Sequence, residues 1–132
     1  MKVKYLGTTD VSLTEGKTYD VISLEEGLYR IVDDSEEDYL FYPEEFEIVD
    51  TRGPVIERNQ PEYAAYMAEC DALIQEIARR GDSLYPVKSL EDYNNRKNDM
   101  QIQALQREFS RRLEQLQNKY CKTGSGSSPE PV

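Results

Sequence analysis

The chain has 132 residues, 38% of them apolar and 32% charged, which bounds it at one or two small domains without a single large core. Its net charge of −10 lies wholly in Met1–Asp50, where fourteen Asp/Glu face four Lys/Arg, while residues 51–132 carry twelve of each. A field of that sign repels phosphate backbones, so direct nucleic-acid binding is not expected, and no run approaches the roughly 18 apolar residues of a membrane span.

No apolar stretch follows Met1 in the manner of a secretion signal, so a cytoplasmic location is expected. From there the first fifty residues carry the two-residue alternation of strands. Val3 and Tyr5 alternate with Lys2 and Lys4 up to Gly7, giving a first strand. The turn Leu13-Thr14-Glu15-Gly16-Lys17 places a glycine where positive φ is needed, and Thr18–Leu24 is the second strand. Glu25-Glu26-Gly27 turns the chain into a third strand over Leu28–Val32. After the acidic run Asp33–Asp38, Tyr39–Tyr42 forms the fourth strand, Pro43-Glu44-Glu45 breaks it, and Phe46–Val49 forms the fifth. Five short, closely spaced strands predict a small antiparallel barrel over residues 1–50.

The order of these features resembles the SH3-like fold. More narrowly, Gly16-Lys17-x-Tyr19, Tyr29-Arg30-Ile31-Val32-Asp33 and Asp38-Tyr39-Leu40 resemble stretches that recur in small bacterial and phage SH3-like barrel proteins. The resemblance covers Val3–Asp50 and implies a fold and little else. Peptide-binding SH3 domains differ in what matters for Pro-rich ligands: this chain has no Trp, no Ala-Leu-Tyr-Asp-Tyr run, and Glu44-Glu45 after Pro43.

Residues 51–60 are expected to be a linker. Beyond them the period changes to that of helices. Asn59-Gln60-Pro61-Glu62 reads as a helix start with Asn59 as cap, and Tyr63, Tyr66, Cys70, Leu73 and Ile77 form one apolar stripe. Gly81 is expected to end this helix, giving 61–80. A second helix over 90–122 opens at Ser89-Leu90-Glu91-Asp92, and its polar stretch Asn94–Asp99 marks a place to fray or bend. From Ile102 a narrow, coiled-coil-like seam runs through Leu105, Phe109, Leu113, Leu116 and Tyr120. The fold expected is therefore α+β: a five-stranded SH3-like barrel followed by a long antiparallel helical hairpin, then a disordered Gly/Ser/Pro tail over 123–132.

Helix lengths of roughly 30 Å and 45 Å leave an overhang in such a hairpin. Leu113, Leu116 and Tyr120, beyond Phe109, would stand exposed there, which predicts a homodimer through the helices with Phe109, Leu113, Leu116 and Tyr120 in self-association; docking of the overhang onto the chain's own barrel is the alternative.

Chemistry is sparse. The chain has no histidine, no Gly-rich phosphate loop and no dinucleotide fingerprint, and Cys70 and Cys121 lie within helical patterns without a neighbouring base, so they read as reduced, unreactive thiols. Neither an enzyme nor a cofactor or metal site is expected. The run Asp33–Asp38 lacks the glycine and distal glutamate of a calcium loop and reads as a solvated turn. What remains is a non-catalytic protein-binding or regulatory module. Its contact residues are expected to be Tyr42 with Phe41, and the acids Glu36, Glu37, Asp38, Glu44 and Glu45. A competing reading is an inhibitor that imitates nucleic-acid charge and occupies a basic site, as on a phage-defence protein.

Overall fold

The computed structural model describes residues 1–121, the last for its backbone alone. The expectations for the Cys121 thiol and for the tail over 123–132 fall outside the described residues. The architecture is α+β, as expected, but the sheet is open, and the described residues form three α-helices.

The strands are β1 (Lys2–Tyr5), β2 (Thr18–Glu25), β3 (Leu28–Val32), β4 (Asp38–Phe41), β5 (Phe46–Asp50) and a short β6 (Ile56–Glu57). Their order is β4-β3-β2-β1-β5, all antiparallel, with β6 added to β2 in parallel. Turn chemistry sets this register. Glu26 and Gly27 both take positive φ, 54° and 82°, in a two-residue hairpin, and Gly16 takes 79° before β2, as its position predicts.

The expectation of a closed five-stranded barrel is corrected: β4 and β5 are the two ends of the sheet and do not pair with each other. Strand β2, at the centre of the sheet, shares one edge between two partners. Its first residues pair with β1 at Asp20↔Lys2, and only at Ser23 does β6 take over the same edge. A register shift against β3 between Val21 and Ser23 falls in this gap. There the Val21 carbonyl accepts from Gln117 Nε2 at 3.0 Å and the Ile22 carbonyl from Tyr66 Oη at 2.5 Å. Helical side chains thus satisfy backbone carbonyls of β2 at the step between its two partner strands.

The helices are α1 (Tyr63–Leu84), α2 (Leu90–Arg96) and α3 (Met100–Cys121), in place of a long two-helix hairpin. Three local expectations change. The bond expected of Asn59 at the start of α1 is absent, and Glu62 stands at the cap position without a side-chain hydrogen bond. Gly81 does not end α1, which runs on to Leu84. The expected 90–122 helix breaks within its polar stretch, and Asp99 starts α3 anew by accepting from the amides of Gln101 at 2.9 Å and Ile102 at 3.1 Å. Helices α1 and α3 lie antiparallel, joined by Glu76–Arg112 and Arg80–Glu108 pairs.

Two apolar clusters sandwich β2 and β3. Val3, Tyr5, Leu13, Tyr19, Val21, Tyr29, Ile31 and Phe46 fill one face. On the other, Ile22 and Ile56 meet Tyr66, Leu73, Ile77, Leu105 and Leu113 of the helices. Ile56, within the expected linker, is fully buried. The overhang expectation is corrected by the same cluster: Leu113 is 1% exposed, and Phe109, Leu116 and Tyr120 pack against it. The seam covers the chain's own sheet and α1.

Candidate functional site

The acidic run is the first place where folding overrides the expected solvated turn. Asp33, Asp34 and Glu36 are buried. Asp34 Oδ1 accepts from Lys17 Nζ at 2.6 Å and from Tyr19 Oη at 3.0 Å; its Oδ2 accepts from Thr14 Oγ1 at 2.7 Å and lies 3.5 Å from Lys97 Nζ. The Tyr19 hydroxyl is pushed up in pKa by burial and by the Asp34 charge. Asp33 Oδ1 accepts from the amide and hydroxyl of Ser35 and from the Glu37 amide; burial raises its pKa. Glu36, at φ 66°, directs its carboxylate onto Arg96 Nη2 at 2.5 Å, and burial pushes its pKa up against that attraction. This loop clamps the sheet to α2.

A second clamp joins the sheet to α1. Glu25 accepts from Ser23, Arg30 and Tyr63, and Arg30 bridges on to Asp38 at 2.9 Å. The Arg30 guanidinium foremost, then the Tyr63 and Ser23 hydroxyls, hold the Glu25 carboxyl down at about 2. Cys70 is buried beneath Tyr66, and burial pushes its thiol up to about 12, so it packs as a small apolar group.

The expected contact residues therefore separate. Glu36 and Asp38 are engaged in internal ion pairs, and Phe41 is half-buried with its ring 6.1 Å from that of Phe46. Tyr42, Glu37, Glu44 and Glu45 remain exposed, and the three glutamates have no cationic partner among the described residues. The fold adds two residues that the alternation had placed within a barrel. Tyr39 and Leu40, on the end strand β4, are 50% and 40% exposed, and Tyr42 beside them is 62% exposed. Tyr39 Oη donates to Glu37 at 2.7 Å. No sequence signal marks β4 as an end strand apart from its brevity and the Pro43 that closes it.

Folding also redistributes charge. Seven of the fourteen acids in Met1–Asp50 enter ion pairs: Asp20, Glu25, Asp34, Glu36, Asp38, Glu47 and Asp50. Arg52, Arg96 and Lys97, from beyond residue 50, supply part of the compensation. The acidic excess of Met1–Asp50 is thereby reduced but not abolished, since the other pairs use that segment's own lysines and arginine.

Among the described residues no group of three or more His, Cys, Asp or Glu is placed to hold a metal ion, and no helix is long and apolar enough to cross a membrane. The chain matches no known protein family, no curated protein and no solved structure.

Proposed function

We propose that the chain is a non-catalytic binding module whose contact surface is the β4 edge and the turn after it, and whose partner is a protein presenting a basic, extended segment with interspersed apolar residues. One observation carries this: Tyr39 and Leu40 stand exposed on an end strand and Tyr42 just past its end, flanked by the uncompensated Glu37, Glu44 and Glu45. An end strand offers unpaired backbone groups to an added strand, exposed tyrosines supply contact area at low entropic cost, and the glutamates favour a cationic approach. The opposite edge, β5, exposes Ile48 and Val49, but there Glu47 is paired with Lys4 at 3.3 Å and no aromatic residue is exposed. The module is preferred to the charge mimic because internal pairing consumes half of the carboxylates on which mimicry would rest.

The test uses two labelled synthetic peptides, one alternating Lys with Val and one alternating Glu with Val, titrated into the full chain and followed by fluorescence anisotropy. The basic peptide is expected to bind, to weaken as salt rises from about 0.05 M to about 0.5 M, and to lose about tenfold in affinity with Tyr42→Ala. Equal binding of both peptides, or full affinity in Tyr42→Ala combined with Glu44→Lys, would overturn the assignment.

A further inference from the structure

Between α3 and the start of β2 lies a cleft of about 560 Å³, within the range of small-molecule sites. Two ties to the sheet and its preceding turn flank it, one from α3 and one from the link between α2 and α3. Ser110 Oγ donates to Asp20 Oδ2 at 2.5 Å, and Lys97 Nζ reaches Thr14 Oγ1 at 3.1 Å. Between the ties the helix stands off, and Val32, Ile74, Ile77 and Phe109 line the gap with apolar surface.

The polar lining sorts by what is already engaged. Glu36 is held by Arg96 and Asp20 by Lys2 and Ser110, while Asp33 turns one oxygen to the Ser35 and Glu37 amides and the Ser35 hydroxyl and keeps the other buried, without a hydrogen-bond partner. Glu15 is the remaining acid, on the exposed turn before β2. Of the cations, Lys97 spends its three donors on Asp10 O, Thr14 Oγ1 and Asp34 Oδ2. Lys17 spends one of three on Asp34. Arg107 makes no ion pair or hydrogen bond among the described residues, and neither does the half-buried side-chain amide of Gln106. The donors left over at the cleft therefore come chiefly from two cations and an amide, above an apolar floor.

We propose that this cleft binds a small amphiphilic carboxylate, its apolar body against Ile74, Ile77 and Phe109 and its carboxylate held by Arg107, with Lys17 and Gln106 as further donors. The apolar lining gives affinity for a compact ring or short chain, and the guanidinium fork selects the anion over a cation of the same shape. The site is distinct from the β4 edge, so it stands or falls separately from the proposed partner surface.

Naphthoate and naphthylmethylamine, which share a ring and differ in charge, are titrated into the full chain by calorimetry, with amide NMR spectra recorded in parallel. The expected result is saturable naphthoate binding, roughly tenfold tighter than the amine, with shifts centred on Thr18, Gln106 and Phe109. Arg107→Glu, at an exposed position without partners, should leave the melting temperature unchanged and weaken naphthoate roughly tenfold. Preference for the amine, undiminished naphthoate affinity in Arg107→Glu, shifts centred away from the cleft, or no saturation below about 10 mM would each overturn the assignment.

Discussion

Gly81 offers a sharp test of how the sheet and helices are joined. In the interior of an exposed helix, replacing glycine by alanine stabilises by about 1 kcal/mol. Gly81 is buried, and a Cβ there would lie 2.3 Å from Arg96 Nη2 and 3.0 Å from Glu36 Oε1. The end of a long side chain ordinarily swings aside, but this guanidinium is tied to Glu36 at 2.5 Å, to Asp82 at 2.9 Å and to the Tyr85 carbonyl at 3.3 Å. The Arg96 and Glu36 side chains are each only 9% exposed, so parting them strands a buried charge at a cost of about 3–5 kcal/mol. Net of the propensity gain, Gly81→Ala should destabilise by about 2 kcal/mol or more. With an unfolding entropy of about 2.1 cal/mol/K per residue over roughly 120 residues, that lowers Tm by about 8 °C. Thermal denaturation followed by circular dichroism reads this directly. In an Arg96→Leu background the sign should reverse and Gly81→Ala should stabilise, because the guanidinium is gone and the Glu36 carboxylate, no longer tied to it, is free to shift. A Tm that rises with Gly81→Ala in the native chain would refute the argument that the Arg96–Glu36 pair fixes α1 against the acidic loop.

Two further outcomes follow from the same joints. Glu25 has its folded pKa held down at about 2, below the ordinary 4.5, so the unfolded chain takes up a proton that the folded chain refuses. Its stabilisation is fully present above pH 4.5 and is lost as pH falls toward 2; allowing for the solvent-facing side of Arg30, it amounts to about 2 kcal/mol. Glu25→Gln should therefore lower the urea midpoint at neutral pH and leave it nearly unchanged near pH 2; an equal loss at both pH values would show that the charge is not responsible. Leu113→Asp places a carboxylate in the cluster beneath Ile22 and Tyr66, at a cost of about 4 kcal/mol, and should unfold sheet and helices together at any protein concentration. A sheet that stays folded after the helices are lost would mean that the two halves are independent.

The strands were legible because local rules set them: alternation over Val3–Tyr5 and Leu28–Val32, and positive φ at Gly16 and Gly27. The stripe from Tyr63 to Ile77 and the cap at Ser89 were legible for the same reason, since a helix face and a first turn are defined within a few residues. The exposure of Tyr42, Glu44 and Glu45 also followed from the turn signal at Pro43, whereas the charge density of Asp33–Asp38 pointed the same way for Glu37, which is exposed, and for Glu36, which is buried. What sequence could not carry was the destination of each apolar face and each charge. The seam from Ile102 to Tyr120 states that α3 must bury a stripe, and a second copy or the chain's own sheet satisfies that need equally well; Ile22, alternating to the far side of β2 from Val21, decided it. Glu36 and Arg96 are sixty residues apart, so a solvated turn and a buried clamp look alike until Gly81 clears the space between them. The sequence by itself determined the first five strands, the apolar stripes of the helices and the cap at Ser89, because those depend on neighbours along the chain; β6 and the break before Met100 were not among them. Barrel closure, the route of the acidic loop and the cleft beside Arg107 were decided only in the tertiary structure, because each depends on which surfaces meet across long separations.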